Sequence, residues 1–234
     1  MPYVDKPRSD TGRLTWIRLT AETGAQDHTQ GKTYLPELIL NQVAVLAPTY
    51  QAAVIQVDEK LAGRARETAE RRFALGNLET HVRDYWQGLL RRTARLDNSV
   101  EVLRLHGLPL DGPLPHPTRS EEWIVWAQRV AAGDAAAVEA NFPPMCNPTS
   151  AEVQAALEAA LAESADVSDA DRALDDAQAS LAELRAQADD LIDQVVLYLQ
   201  LALRKLDPPS QRRIMRTYGV VFTKYQDEVL PEEA

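Results

Sequence analysis

From residue 33 onward, the apolar positions of this chain fall three and four residues apart, the spacing of one helix face. Thr33 and Pro36 can open the first helix, with Leu38, Ile39, Val43 and Leu46 on one side. Pro48 is expected to end or kink it. Beyond it Tyr50, Val54, Val57, Leu61, Leu75, Leu78, Val82, Leu89 and Leu96 continue the pattern as a heptad-like seam. Unbroken, a helix over 48–96 would extend about 70 Å at 1.5 Å per residue.

The pattern stops at 108–117, where four prolines and one glycine in ten residues impose a loop. Thr118 or Ser120 can cap the next helix, which carries Trp123, Ile124, Ala127 and Val130. Gly133 is expected to end it, and Asp134 to cap a further short helix. After the linker 142–148, helix resumes at Thr149 with Val153, Leu157 and Leu161. Residues 166–169 read as an interruption, with Ser168 and Asp171 as a capping-box restart. A second seam then runs from Leu174 through Leu184, Leu191, Val195 and Leu199 to Leu206. Asp207-Pro208-Pro209 stops it, and a last helix, Ser210 to Tyr218, closes at Gly219. Residues 1–33 hold one apolar cluster, Leu14 to Leu19. They are expected to form an irregular arm with at most one strand or hairpin, packing through Trp16.

The two seams look like copies. Leu96 and Leu206 end the long helices 110 residues apart, and Val82 meets Ile192 and Arg95 meets Lys205 at the same spacing. Leu103-Arg104-Leu105-His106-Gly107-Leu108 parallels Met215-Arg216-Thr217-Tyr218-Gly219-Val220 at 112. Pro48-Thr49 parallels Pro148-Thr149 at 100, which places a ten-residue difference near Asp166. The predicted fold is therefore all-α: an elongated four-helix bundle of two tandem helical-hairpin repeats. The parts are an arm (1–33), a first repeat (34–108), a Pro-rich loop with a Trp-bearing helical insertion (109–141), a second repeat (142–220) and an acidic tail (221–234). Residues 34–220 are expected to fold as one domain, with Arg83 against Asp193 as a candidate contact.

Composition narrows the classes. The chain is 45% hydrophobic, which argues against global disorder, and its single cysteine, Cys146, excludes an internal disulfide framework. The net charge is −10, and it is uneven. Residues 34–108 carry 10 Lys/Arg against 9 Asp/Glu, whereas 149–206 carry 4 against 12. Clustered cations suited to phosphates are missing from the acidic half, so nucleic acid is not an expected partner. The first residues lack the apolar core of a secretory signal, and the cytoplasm is the expected compartment. Leu38 to Val57 is twenty residues without a charge, long enough to cross a bilayer. Its Asn41, Gln42, Gln51, Gln56 and Pro48 argue instead for a buried helix pair, with no membrane span.

Candidate chemistry is sparse. Arg-x-[His/Tyr]-Gly recurs as Arg104/His106/Gly107 and Arg216/Tyr218/Gly219. It suits either a pair of anion sites or two helix C-termini, where glycine turns left-handed and arginine meets the dipole. None of the four histidines has a Glu three residues before it, so no metal centre is expected. No nucleophile motif or phosphate loop occurs, and neither catalytic residues nor cofactors are predicted. Trp123 and Trp126 share a helix face; with Phe142 they can clamp the insertion, or serve as an anchor for a partner.

The expected function is a non-catalytic structural or protein-interaction module, engaging a protein partner or a second copy as a homodimer. The alternative is a small-ligand or anion binder, or an enzyme, with a pocket between bundle and insertion near Arg104, His106, Arg216 and Tyr218.

Overall fold

The computed structural model describes residues 3–96, 100–111 and 113–223. Asp97, Asn98 and residues 224–234 of the acidic tail lie outside them. The described chain is all-α: α1 (Asp10–Thr29), α2 (Glu37–Leu96), α3 (Glu101–Leu105), α4 (Ser120–Glu139), α5 (Ser150–Leu203) and α6 (Pro208–Thr217). Two short strands, β1 (Tyr3–Asp5) and β2 (Val221–Thr223), pair antiparallel with Val4 opposite Phe222.

Four local expectations need correction. The N-terminal arm is not irregular: most of it is α1, capped by Ser9, whose hydroxyl accepts from Gly12 N at 3.1 Å. Its polar sequence hides the helix, because tertiary contacts hold it. Trp16 and Ile17 are buried, and Arg13 makes a two-pronged bond to Asp189 at 2.7 and 2.9 Å. Pro48 neither ends nor breaks α2. It costs one backbone bond on the exposed face, where water can serve the carbonyl of Ala44. The 166–169 interruption is continuous helix, with the Ser168 hydroxyl donating to Ser164 O. Gly133 lies inside α4; it is there for close approach, since a Cβ would sit 2.6 Å from His106 Cδ2. Other boundaries agree with their chemistry. Thr149 and Glu152 form a reciprocal capping box at the start of α5, and Asp207 caps α6 ahead of two prolines.

The chain divides into two compact units. A terminal unit takes the described residues up to Lys60 together with those from Leu174 onward; a central unit takes Leu61–Ala173. The division falls inside α2 and α5, not between 34–108 and 142–220. Ile17, Ile39, Tyr50, Ile192 and Leu199 belong to the terminal core, and Leu78, Val82, Trp86, Trp123 and Val153 to the central one. Within the terminal unit α1 lies against α6; within the central unit α4 lies against α3.

One spacing runs through the burial pattern. Buried positions 43, 46, 47 and 50 of α2 recur at 153, 156, 157 and 160 of α5. Buried positions 78, 82, 85 and 89 recur at 188, 192, 195 and 199, and 17, 20 and 24 of α1 recur at 127, 130 and 134 of α4. Every pair is 110 apart. The spacing of 100 taken from Pro48 and Pro148 is not kept: Pro48 is inside a helix and Pro148 precedes one. α1 and α4 are each twenty residues long and begin 110 residues apart. Arg83 pairs with Glu79 at 2.8 Å, and Asp193 with Lys6 at 2.6 Å.

Helix ends repeat as well. Gly31, Asn141, Gly107 and Gly219 have φ of 73, 64, 68 and 88°. After each, the next amide reaches back to close the turn: Lys32 to Asp27, Phe142 to Ala137, Leu108 to Leu103 and Val220 to Met215, at 2.8 to 3.2 Å. These are Schellman caps, in which a left-handed residue lets backbone donors satisfy the last carbonyls.

Candidate functional site

The two Arg-x-[His/Tyr]-Gly ends fall in different units, His106 in the central and Tyr218 in the terminal one. Each aromatic packs inward from its Schellman turn, and each arginine, Arg104 and Arg216, is exposed. Tyr218 is buried, donates to Asp27 Oδ2 at 2.8 Å, and accepts a bond from the Thr20 hydroxyl on its carbonyl at 2.8 Å. Burial, then the hydrogen bond to Asp27, pushes its hydroxyl pKa well above the usual tyrosine value.

His106 anchors a buried polar cluster joining four segments of the central unit. Its Nδ1 lies 2.8 Å from Val102 O, which fixes that nitrogen as the donor and leaves Nε2 to accept. Tyr85 Oη, from α2, lies 3.0 Å from that Nε2 and 2.9 Å from Asp134 Oδ1 on α4. Asp134 accepts in addition from Met145 N at 3.3 Å and from the Ser150 hydroxyl, at the start of α5, at 2.5 Å. Burial is the main cause holding the His106 pKa below its ordinary value, and the neutral ring suits its acceptor role. Burial and the Asp134 carboxylate push the Tyr85 pKa strongly upward.

The cavity beside this cluster measures about 10 Å³, room for a single water, and is lined by Leu89, Arg92, Phe142 and Met145 among others. Ser150 points its proton at a carboxylate, not at the imidazole, so the arrangement does not activate a nucleophile. Its chemistry is to tie α2, the end of α3, α4 and α5 together through one buried network, in which the single Tyr85 proton lies between the imidazole and the Asp134 carboxylate. Of this cluster the sequence pattern singles out His106, and Asp134 only as a cap. A polar residue at helical spacing inside an apolar seam was the available signal.

Trp123 is buried and Trp126 half-buried, so neither stands out as a free aromatic anchor. Both rings meet Trp86, with centroids 5.8 and 5.1 Å away, and Arg83 and Arg129 lie over them at 5.0 and 4.5 Å. Phe142 packs against the same core. Nε1 of Trp86 is the one buried side-chain polar atom, among the described residues, without a hydrogen-bond partner. The carboxylates of Glu67, Glu163 and Asp166 converge within 4.8 Å and are the described residues best placed for a cation. Glu67 also accepts from Arg66 at 2.6 Å.

No family model matches the chain, and neither the curated proteins nor the solved structures include a similar one.

The most conspicuous surface lies in the terminal unit. Leu38–Val57 is not a buried helix pair but one side-on stretch of α2. Ile39, Val43, Leu46 and Tyr50 face the core, while Leu38, Val45 and Ile55 face out. An 18-residue window in this helix has mean hydropathy 1.5 and is only 28% buried. Beside it, α5 exposes Leu197, Tyr198 and Leu201. Between the two helices runs a groove of about 580 Å³, floored by Leu46 and Leu191 and edged by Asn41, Gln42, Gln187 and Gln194.

Proposed function

We propose that this protein is a non-catalytic interaction module that engages another polypeptide through the open α2/α5 face of its terminal unit. The observation that carries this reading is the exposure of large apolar side chains on a long charge-free helix face. Leu38 and Val45 are 68% and 69% exposed, and Leu197 and Leu201 are 64% and 58% exposed. Single exposed leucines are ordinary; here Leu38 and Val45 line the groove and Leu197 and Leu201 stand on the α5 helix that forms its other wall, a set of the kind that another molecule covers. An amphipathic helix fits such a two-helix groove by ridges-into-grooves packing.

The reading includes an architectural part: the chain is one three-helix unit present twice, α1-α2-α3 and α4-α5-α6, at a spacing of 110. The recurring burial positions and the paired Schellman ends support it. In this scheme each compact unit combines the first helix of one copy with the last helix of the other. A photo-reactive benzoylphenylalanine at Val45, in the full chain inside its own host cells, tests the interaction. A covalent adduct with some polypeptide is expected from position 45 and not from Gln87. Irradiation that yields no adduct at Val45 would overturn the module reading.

A further inference from the structure

We infer that the polypeptide covering the α2/α5 groove is a second copy of this chain, related by a twofold axis. The inference rests on the module reading above and names its partner. Two features of the groove select a self-contact.

The first is charge. Each chain carries −10, so two copies repel wherever their acidic faces approach. A twofold contact sets one patch against itself, and any net charge within it is doubled against its own image. The exposed face of α2 from Leu38 to Gln56 holds no Asp, Glu, Lys, Arg or His, and neither does α5 from Gln194 to Leu203. Asp190 is the ionisable group in the groove's lining, and it is exposed. The edges are Asn and Gln amides, each donor and acceptor at once, which pair with their own kind across a twofold.

The second is an internal control supplied by the 110-residue spacing. The helix pair of the central unit repeats the same burial pattern, so its counterpart positions show what this face carries when solvent covers it. Gln42 corresponds to Glu152, Gln194 to Asp84, and Leu201 to Arg91; Val45 and Leu197 correspond to Ala155 and Gln87. Glu152, Asp84, Arg91, Ala155 and Gln87 are all exposed. The fold therefore accepts charged and small residues at these places. Their replacement by leucine, valine and amides in the terminal unit is a property of that surface, and one that a solvent face does not need.

Light scattering on the purified full chain at about 50 µM tests this. A mass of twice 26.0 kDa is expected for the native protein. The variant Val45→Asp/Leu197→Asp is expected to run at the single-chain mass with unchanged helical circular dichroism. The counterpart variant Ala155→Asp/Gln87→Asp should remain a dimer. Should the first variant fail to fold, benzoylphenylalanine at Val45 in the purified protein decides: an adduct of two chains supports the dimer, and its absence overturns it. A native mass of one chain overturns the inference, as does a dimer that survives both aspartates, or a monomer that floats with phosphatidylcholine vesicles. A purified monomer that still forms an adduct with a different polypeptide in cells removes the homodimer and leaves the module reading standing.

Discussion

Tyr85 carries a single hydroxyl proton and has two acceptors within 3.0 Å, His106 Nε2 and Asp134 Oδ1. Removing that hydroxyl leaves both in a buried site with one partner fewer. Tyr85→Phe is expected to cost about 1–3 kcal/mol in urea unfolding, with little change of helical content. The same cluster predicts a pH response. His106 is held below its ordinary value in the fold, whereas an unfolded chain titrates near its usual 6.5. The unfolded state therefore binds the extra proton first, so this contribution is full above pH 6.5 and lost as pH falls toward the folded value. Unfolding free energies compared at pH 7.5 and 5.5 should drop in the native protein and drop less in His106→Asn. Asp10 acts in a lower window. Its two-pronged bond from Arg185, at 2.7 Å to each oxygen, with help from Tyr50, lowers its pKa from 3.8 to about 2. Its contribution is present above about pH 4 and disappears as pH falls toward 2. Tyr50, buried and bonded to the same carboxylate, rises to about 12.

Among the elements, glycines separate by what surrounds them. Gly63 and Gly76 lie in α2 with open space where a Cβ would go, so alanine there should stabilise by about 0.5–1 kcal/mol through the unfolded chain. Gly133 faces the His106 ring at 2.6 Å, and Gly133→Ala should destabilise by about 1–3 kcal/mol through overpacking. Thermal melts of the three variants, read by circular dichroism, should move in opposite directions. The sequence could not make this distinction. It treated Gly133 as a stop because glycine after an apolar run is what a helix end looks like, and only the packing of α3 on α4 gives the other reason. Pro48 and Asp166–Asp169 misled in the same way: local breakers were outweighed by long apolar seams on either side. α1 erred in the opposite direction, since its Thr- and Gln-rich sequence has no strong stripe, and its helix depends on Trp16, Ile17 and Arg13 finding partners on other segments.

For the whole molecule, the terminal and central units each draw helices from both halves of the chain. Neither half holds a complete unit. Cleaving the exposed linker after Asp111 and co-expressing 1–111 with 112–234 is expected to give two pieces that co-purify. Each expressed alone should show reduced helical circular dichroism and no cooperative melt. A half that folds alone to a cooperative unit would contradict the division of the cores. Each compact unit therefore brings together stretches that lie far apart in chain order. Seams reveal which residues are buried, but not which other seam they are buried against.

The sequence by itself determined the all-α class, the two long seams and the Pro-rich connection, and it offered Gly107 and Gly219 as left-handed helix ends, because each follows from spacing or backbone freedom within a few residues. Only the tertiary structure decided that α1 exists, that α2 and α5 run unbroken, that Trp123 faces inward, and that His106 meets Tyr85 and Asp134. Those outcomes depend on contacts between residues tens of positions apart, whose energies exceed the local preferences that sequence displays. The exposed face of α2 stands between the two. Its twenty uncharged residues were visible from the start, and the fold turned one side of them inward and left the other side open.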